Sequence, residues 1–87
     1  MHETGLVRDL IRRVTQAADA NGAGRVVGVQ VRLGALSHLS ATHFRDHFET
    51  ESRGTPAEGA RLTITEATDA ADPQAQQVLL ESLELEV

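Results

Sequence analysis

The sequence predicts an α+β fold: a two-layer single domain with a three-stranded mixed sheet and two helices, in the order α-β-α-β-β. Three observations carry this prediction. Two stretches place apolar residues at the three-and-four spacing of a helical face. Three others alternate apolar and polar residues with the period of a half-buried strand. A chain of 87 residues suffices for one core and no more, and a domain of that size is only marginally able to bury enough apolar surface.

The first helical stretch carries Leu6, Val7, Leu10, Ile11, Val14, Ala17 and Ala18 on one side and Arg8, Arg12, Arg13, Gln16 and Asp19 on the other. Thr4 is the expected N-cap and Gly22 the expected stop. In the first strand Val27, Val29, Val31 and Leu33 alternate with Gly28, Gln30 and Arg32, and Gly34 ends it. Ser40 is placed to cap a second helix, with Leu39 before it and Phe44 after it forming a hydrophobic staple. Phe48 extends that buried face, and Gly54 should end the helix. A turn at Thr55-Pro56-Ala57-Glu58-Gly59 leads into a second strand over Leu62–Thr65, with Leu62 and Ile64 inward.

Residues 68–77 (TDAADPQAQQ) are small, polar and proline-containing, so they are expected to connect rather than pack. In the last strand Leu83, Leu85 and Val87 share one phase while Val78 and Leu80 have the other, which calls for a bulge or twist near Glu81. The strand-helix-strand step should make its two strands parallel. The short connector should return the third antiparallel.

Composition narrows the function. Net charge is −5, and all eight basic residues are arginines scattered along the chain, which argues against a surface that tracks nucleic-acid phosphates. Protein partners or cations suit an acidic surface better. No apolar run approaches the roughly 20 residues that cross a bilayer, and the N-terminus lacks the apolar region of a signal peptide. The expected setting is cytoplasmic, with no membrane. Cysteine is absent, so neither a disulfide nor a thiolate zinc site can form.

Met1-His2-Glu3 is the segment with the most evident chemistry. The bulk of His2 disfavours removal of Met1, which fixes the terminal amine one residue before the imidazole. A deprotonated His2 amide closes a five-membered chelate with the Met1 amine or the Glu3 amide, and a six-membered ring with its own imidazole. Such nitrogen donors suit square-planar Ni(II) or Cu(II). Only two neighbours fit at right angles to the His2 amide, so this route supplies three in-plane donors. The fourth must come from His38, His43 or His47, from water or from another chain, while Glu3 could act as an axial or outer carboxylate. An incomplete plane suits a protein that hands metal on.

His43 and His47 are four residues apart on the second helix, beside Asp46, and such a pair can bind a divalent ion. The competing reading puts them at the solvated flank of the Phe44–Phe48 face, with His47 facing Glu51. Glu81, Glu84 and Glu86 alternate with leucines as a half-exposed strand requires. No nucleophile with a base, paired-carboxylate site or glycine-rich phosphate loop stands out. No catalytic residue is assigned and an enzyme is not expected.

Taken together, Met1-His2-Glu3, Gly22-Ala23-Gly24-Arg25-Val26, Val29-Gln30-Val31-Arg32-Leu33-Gly34-Ala35-Leu36-Ser37 and Arg53-Gly54-Thr55-Pro56-Ala57-Glu58-Gly59-Ala60 resemble the HypA/HybF family of hydrogenase nickel-incorporation proteins. The phase slip of Val78–Leu85 resembles that family's final strand. The resemblance implies that His2 is a nickel ligand with Glu3 as its neighbour. It further implies delivery to a [NiFe] hydrogenase large subunit or another nickel enzyme, with a nickel-loading GTPase as partner. The family inserts a zinc-binding lobe with two Cys-x-x-Cys pairs between its last two strands, where this chain has residues 68–77, so no structural zinc is expected. Without that lobe, strand edges could be open to a homodimer. The alternative to a nickel metallochaperone is a metal-independent interaction paralogue that acts as scaffold in a maturation complex.

Overall fold

The structure is a computed structural model that describes residues 3–86, with side chains from residue 5 onward. Its elements are α1 (Glu3–Ala20), β1 (Arg25–Leu33), α2 (Ala41–Glu51), β2 (Arg61–Glu66) and β3 (Val78–Glu86). The sheet order is β2-β1-β3, with β1 parallel to β2 and antiparallel to β3. This is the mixed sheet and element order that the periodicities predict.

Helix α1 buries Val7, Leu10, Ile11, Val14 and Ala18. It begins at Glu3, so Thr4 lies inside the helix and is not its N-cap. Apolar periodicity marks only where the helix meets the core, and here the helix runs a turn beyond its buried stripe. Its far end matches expectation. Gly22 takes φ +66°, its N–H donates to the Asp19 carbonyl, and the Ala23 N–H donates to the Ala18 carbonyl. Those paired bonds form a Schellman closure.

Strand β1 is paired on both sides, and Val26, Val29, Val31 and Leu33 point into the core. Val27, expected to face inward, is only partly buried while Val26 is fully buried. The cause is a bulge: Val26 pairs with Leu85 and Gly28 with Glu84, leaving Val27 without a partner in β3. A second bulge compensates for it. Gln30 pairs with Ser82 and Val31 with Leu80, so Glu81 is the extra residue on β3, at the position where the sequence changes phase. Val78, Leu80, Leu83 and Leu85 therefore all pack on the core.

The other face of the sheet forms polar rows across the strands. Arg61, Gly28 and Glu84 make one row and Thr63, Gln30 and Ser82 the next. Because Gly28 has no side chain, the Arg61 guanidinium reaches across the central strand to Glu84 at 3.3 Å. The Ser82 hydroxyl donates to Gln30 Oε1 at 2.7 Å.

Ser40 caps α2 as expected, its hydroxyl accepting the His43 N–H at 3.4 Å. Leu39 packs against the core to which Phe44 and Phe48 belong. The helix ends at Glu51, before Gly54, with Ser52 as C-cap. In the following loop Ala57 is fully buried, the Pro56 carbonyl accepts the Val26 N–H at 2.9 Å, and the Glu58 carboxylate accepts the Gly54 N–H at 3.0 Å. Arg45 of α2 donates to the Leu62 carbonyl at 2.7 Å, tying the helix to β2.

The connector before β3 departs from expectation. Ala75 is 4% exposed, its carbonyl accepts the Leu36 N–H at 2.7 Å, and the Gln77 carbonyl accepts the Gly34 N–H at 2.9 Å. The connector thus packs on the β1–α2 loop. Alanine is small enough to read as linker while filling a tight contact. Among the described residues no helix is long and apolar enough to cross a membrane.

The Gly34–Ala75 approach leaves no space for a side chain: a methyl on Gly34 would lie 2.1 Å from the Ala75 carbonyl oxygen. Gly34→Ala is expected to cost about 2 kcal/mol or more in urea unfolding. Gly24→Ala, with nothing within 4 Å of the added carbon, is expected to stay within about 0.5 kcal/mol of wild type.

Candidate metal centre

Met1 and His2 lie outside the described residues, and of Glu3 only the backbone, opening α1, is described. The start of a helix has two consequences for a metal held there. The first four amide N–H groups have no intrahelical acceptor, so deprotonating an amide at this end breaks no helical hydrogen bond. The macrodipole places partial positive charge there, which disfavours a bare cation. Deprotonated amides, being anionic, remove that conflict.

Leu6 defines what surrounds this end. It lines an open depression of about 770 Å³ together with Arg13, Leu36–His38 and Gln76–Leu80. The start of α1 therefore lies over the end of β1, the β1–α2 loop and the start of β3. The loop is pinned by the Leu36 N–H to Ala75 carbonyl bond and by the Ser37 N–H to Gly34 carbonyl bond.

The candidate histidines fall in different places. His38 is exposed, lines the depression beside Leu6 and has φ +59°, the left-handed region, where it is the only non-glycine among the described residues. His43 is exposed in the first turn of α2. His47 is half-buried in a separate hollow with Asp46, Thr50 and Glu51, so it faces Glu51 as the four-residue spacing predicts. Among the described residues no three histidine, aspartate or glutamate side chains converge on a metal-sized site. His43 and His47 therefore do not build one with Asp46.

Glu51 has a stronger partner, which the sequence did not disclose. The Arg8 guanidinium grips its carboxylate through Nε at 2.9 Å and Nη2 at 3.3 Å, joining α1 to α2 across 43 positions of sequence. That hydrogen bond, and then the charge of Arg8 with a further contribution from His47, hold the Glu51 carboxyl below its ordinary range. Asp9 is likewise held low by its hydrogen bond from Arg12, with Arg13 adding. Glu81 and Glu84 pair with Arg32 and Arg61, so these two carboxylates are ion-paired to arginines of β1 and β2.

A two-layer domain with a histidine-bearing start and a mixed three-stranded sheet defines a class that comparison makes specific. The family of hydrogenase/urease nickel-incorporation metallochaperones, HypA, matches residues 1–79, and the chain belongs to it. The hydrogenase maturation factor HypA of Klebsiella pneumoniae is 41% identical over 66 residues, covering 76% of this chain and 58% of that protein. HypA of Chlorobaculum parvum is 35% identical over 66 residues with the same coverage. The chain thus spans under three-fifths of the length of these relatives. The solution structure of the nickel metallochaperone HypA from Helicobacter pylori shares the fold at TM-score 0.84 and 24% identity, covering 98% of this chain and 97% of that one.

Because the Glu51 pKa is lowered in the folded chain, the pairing with Arg8 stabilises the fold above the ordinary carboxylate pKa. That contribution is lost as pH falls through the lowered value. Arg8→Ala is expected to be less stable than wild type at neutral pH, with the difference shrinking toward zero in urea titrations taken down to about pH 3. A gap constant over that range would show that Arg8 acts through packing alone.

Proposed function

We propose that this chain is a nickel metallochaperone that holds Ni(II) through His2, the Met1 amine and Glu3, and passes it on by ligand exchange. The observation that carries the reading is the family match over residues 1–79, a span that includes Met1-His2-Glu3. Nickel is cargo here, and no residue is given a catalytic role. The recipient would be a [NiFe] hydrogenase large subunit or another nickel enzyme, with a nickel-loading GTPase as partner and the cytoplasm as setting. Residues 68–77 would stand where the family carries its zinc lobe, and with no cysteine in the chain no structural zinc is assigned. Strands β2 and β3 are the sheet edges, and a second copy could pair along one of them.

A second reading has an observation of its own. These 87 residues hold no cysteine and so no thiolates for a zinc lobe, which favours a metal-independent scaffold that keeps the fold and a partner surface. Nickel titration of untagged protein with a native N-terminus separates the two. The metallochaperone reading expects stoichiometric binding with a square-planar absorption band, abolished by His2→Ala and by one extra residue before Met1. Binding indifferent to both changes supports the scaffold.

Proton competition gives a further expectation. The amine (ordinary pKa roughly 7.7 to 8.0) and the imidazole (roughly 6.5) must both be neutral to bind. Nickel affinity should therefore fall on the order of a hundredfold or more between about pH 8 and about pH 6. Calorimetry at the two pH values checks this, and a flat affinity would contradict the ligand set.

A further inference from the structure

We propose that Asn21-Gly22 is a latent self-modification site, a deamidation centre that the closing turn of α1 holds shut. Asn21 is the one asparagine in the sequence, and Gly22 follows it. In such a pair the Gly22 backbone nitrogen, its proton taken by hydroxide, attacks the side-chain carbonyl carbon of Asn21. The N–Cγ bond forms, the Cγ–Nδ2 bond breaks, and Nδ2 leaves as ammonia with a proton from water. A second water opens the resulting succinimide at either carbonyl, giving aspartate or isoaspartate. The net change is amide plus water to carboxylate plus ammonium, with no oxidant, reductant or enzyme. Both residues are exposed, and beyond the chain neighbours no atom lies within 4 Å of where a Gly22 side chain would begin. Base and water therefore have access to the attacking nitrogen.

The folded turn withholds both reacting groups. Asn21 Nδ2 donates to the Ala17 carbonyl at 2.7 Å, which draws the side chain back along the helix and away from the residue that follows. The Gly22 N–H donates to the Asp19 carbonyl at 3.2 Å, and the Asn21 N–H is shared between the Ala17 and Ala18 carbonyls at 3.2 Å each. The Ala23 N–H closes the turn on the Ala18 carbonyl at 2.9 Å, with Gly22 at φ +66°. Attack waits for these bonds to open, and helix ends open more readily than cores. The product does not close again in the same way. Either carboxylate has lost the Nδ2 donor and places negative charge where the macrodipole is already negative. Isoaspartate also routes the main chain through Cβ and Cγ, which lengthens the link from α1 to β1, while the entry of β1 is fixed by the Val26 N–H to Pro56 carbonyl bond at 2.9 Å. Conversion is thus a one-way loosening of the α1–β1 connection.

The test incubates the full chain in mildly alkaline buffer, folded and in unfolding urea, and follows the tryptic peptide of residues 14–25 by mass spectrometry, with aspartyl and isoaspartyl forms separated by chromatography. Conversion is expected to be at least about tenfold slower in the folded chain than in urea. Ala20→Gly weakens the end of the helix and leaves Asn21 and Gly22 in place; it should raise the folded-state rate about fourfold and leave the rate in urea unchanged, with a urea midpoint confirming that the fold is kept. The converted chain, refolded, should unfold at lower urea than the unconverted one. Equal rates in the folded and unfolded chains, or a folded-state rate indifferent to Ala20→Gly, would overturn the guarding role of the turn. No conversion in urea would overturn the site itself, and an unchanged midpoint after conversion would contradict the loosening.

Discussion

Strand β1 is the constraint on which the rest of the structure depends. It is hydrogen-bonded on both edges, to β2 in parallel and to β3 antiparallel, and it turns Val26, Val29, Val31 and Leu33 onto a core closed by Val7, Leu10, Val14, Phe44 and Phe48. A strand paired on both sides cannot shift register without exchanging its buried and exposed faces. The bulges at Val27 and Glu81 meet this demand. Each inserts one residue on opposite members of the pair, so the ladder slips and recovers while the apolar side chains at either end of both strands stay on the same face. The two helices then have one surface to cover, and the outer face is left to arginine, glutamate, glutamine, serine and threonine.

The same arrangement creates the end of the molecule where the proposed chemistry lies. With α1 leading into β1 through a four-residue Schellman turn, the start of α1 is carried to where β1 ends. There the β1–α2 loop and the 68–77 connector meet across the Gly34–Ala75 contact. The start of α1 at Glu3 is thus set beside a hydrogen-bonded loop bearing one histidine, His38, in the left-handed conformation. Arg8 and Glu51 lock α1 to α2 close by. Arg53–Ala60 is largely architecture, since Ala57 is buried and Pro56 and Glu58 satisfy backbone amides.

The elements and the sheet's mixed pairing were legible because burial on a single face leaves a period in the sequence. Even the Glu81 bulge was, as a change of phase among leucines. The Val27 bulge was not: Val26 and Val27 are both β-branched and apolar, so pattern alone cannot say which faces inward. The connector read as solvent-exposed because a buried alanine and a hydrogen-bonding carbonyl leave no compositional trace. For the site, the four-residue spacing of His47 and Glu51 placed those two side chains near each other. The Arg8–Glu51 clamp joins residues 43 apart and depends on how the helices cross, while the left-handed backbone of His38 depends on a loop closed by a residue far along the chain. Neither follows from local sequence.

The central claim is that nickel is held by deprotonated backbone nitrogen at the start of α1. A proton–nitrogen correlation spectrum of isotope-labelled protein at one equivalent of Ni(II), near pH 7.5, tests it most directly. The account predicts a diamagnetic square-planar complex in which the His2 amide signal is lost because its proton has left. The resonances of β1, β3 and the end of α2 should remain sharp. A His2 amide that persists, or paramagnetic broadening centred on His43 and His47, would contradict it.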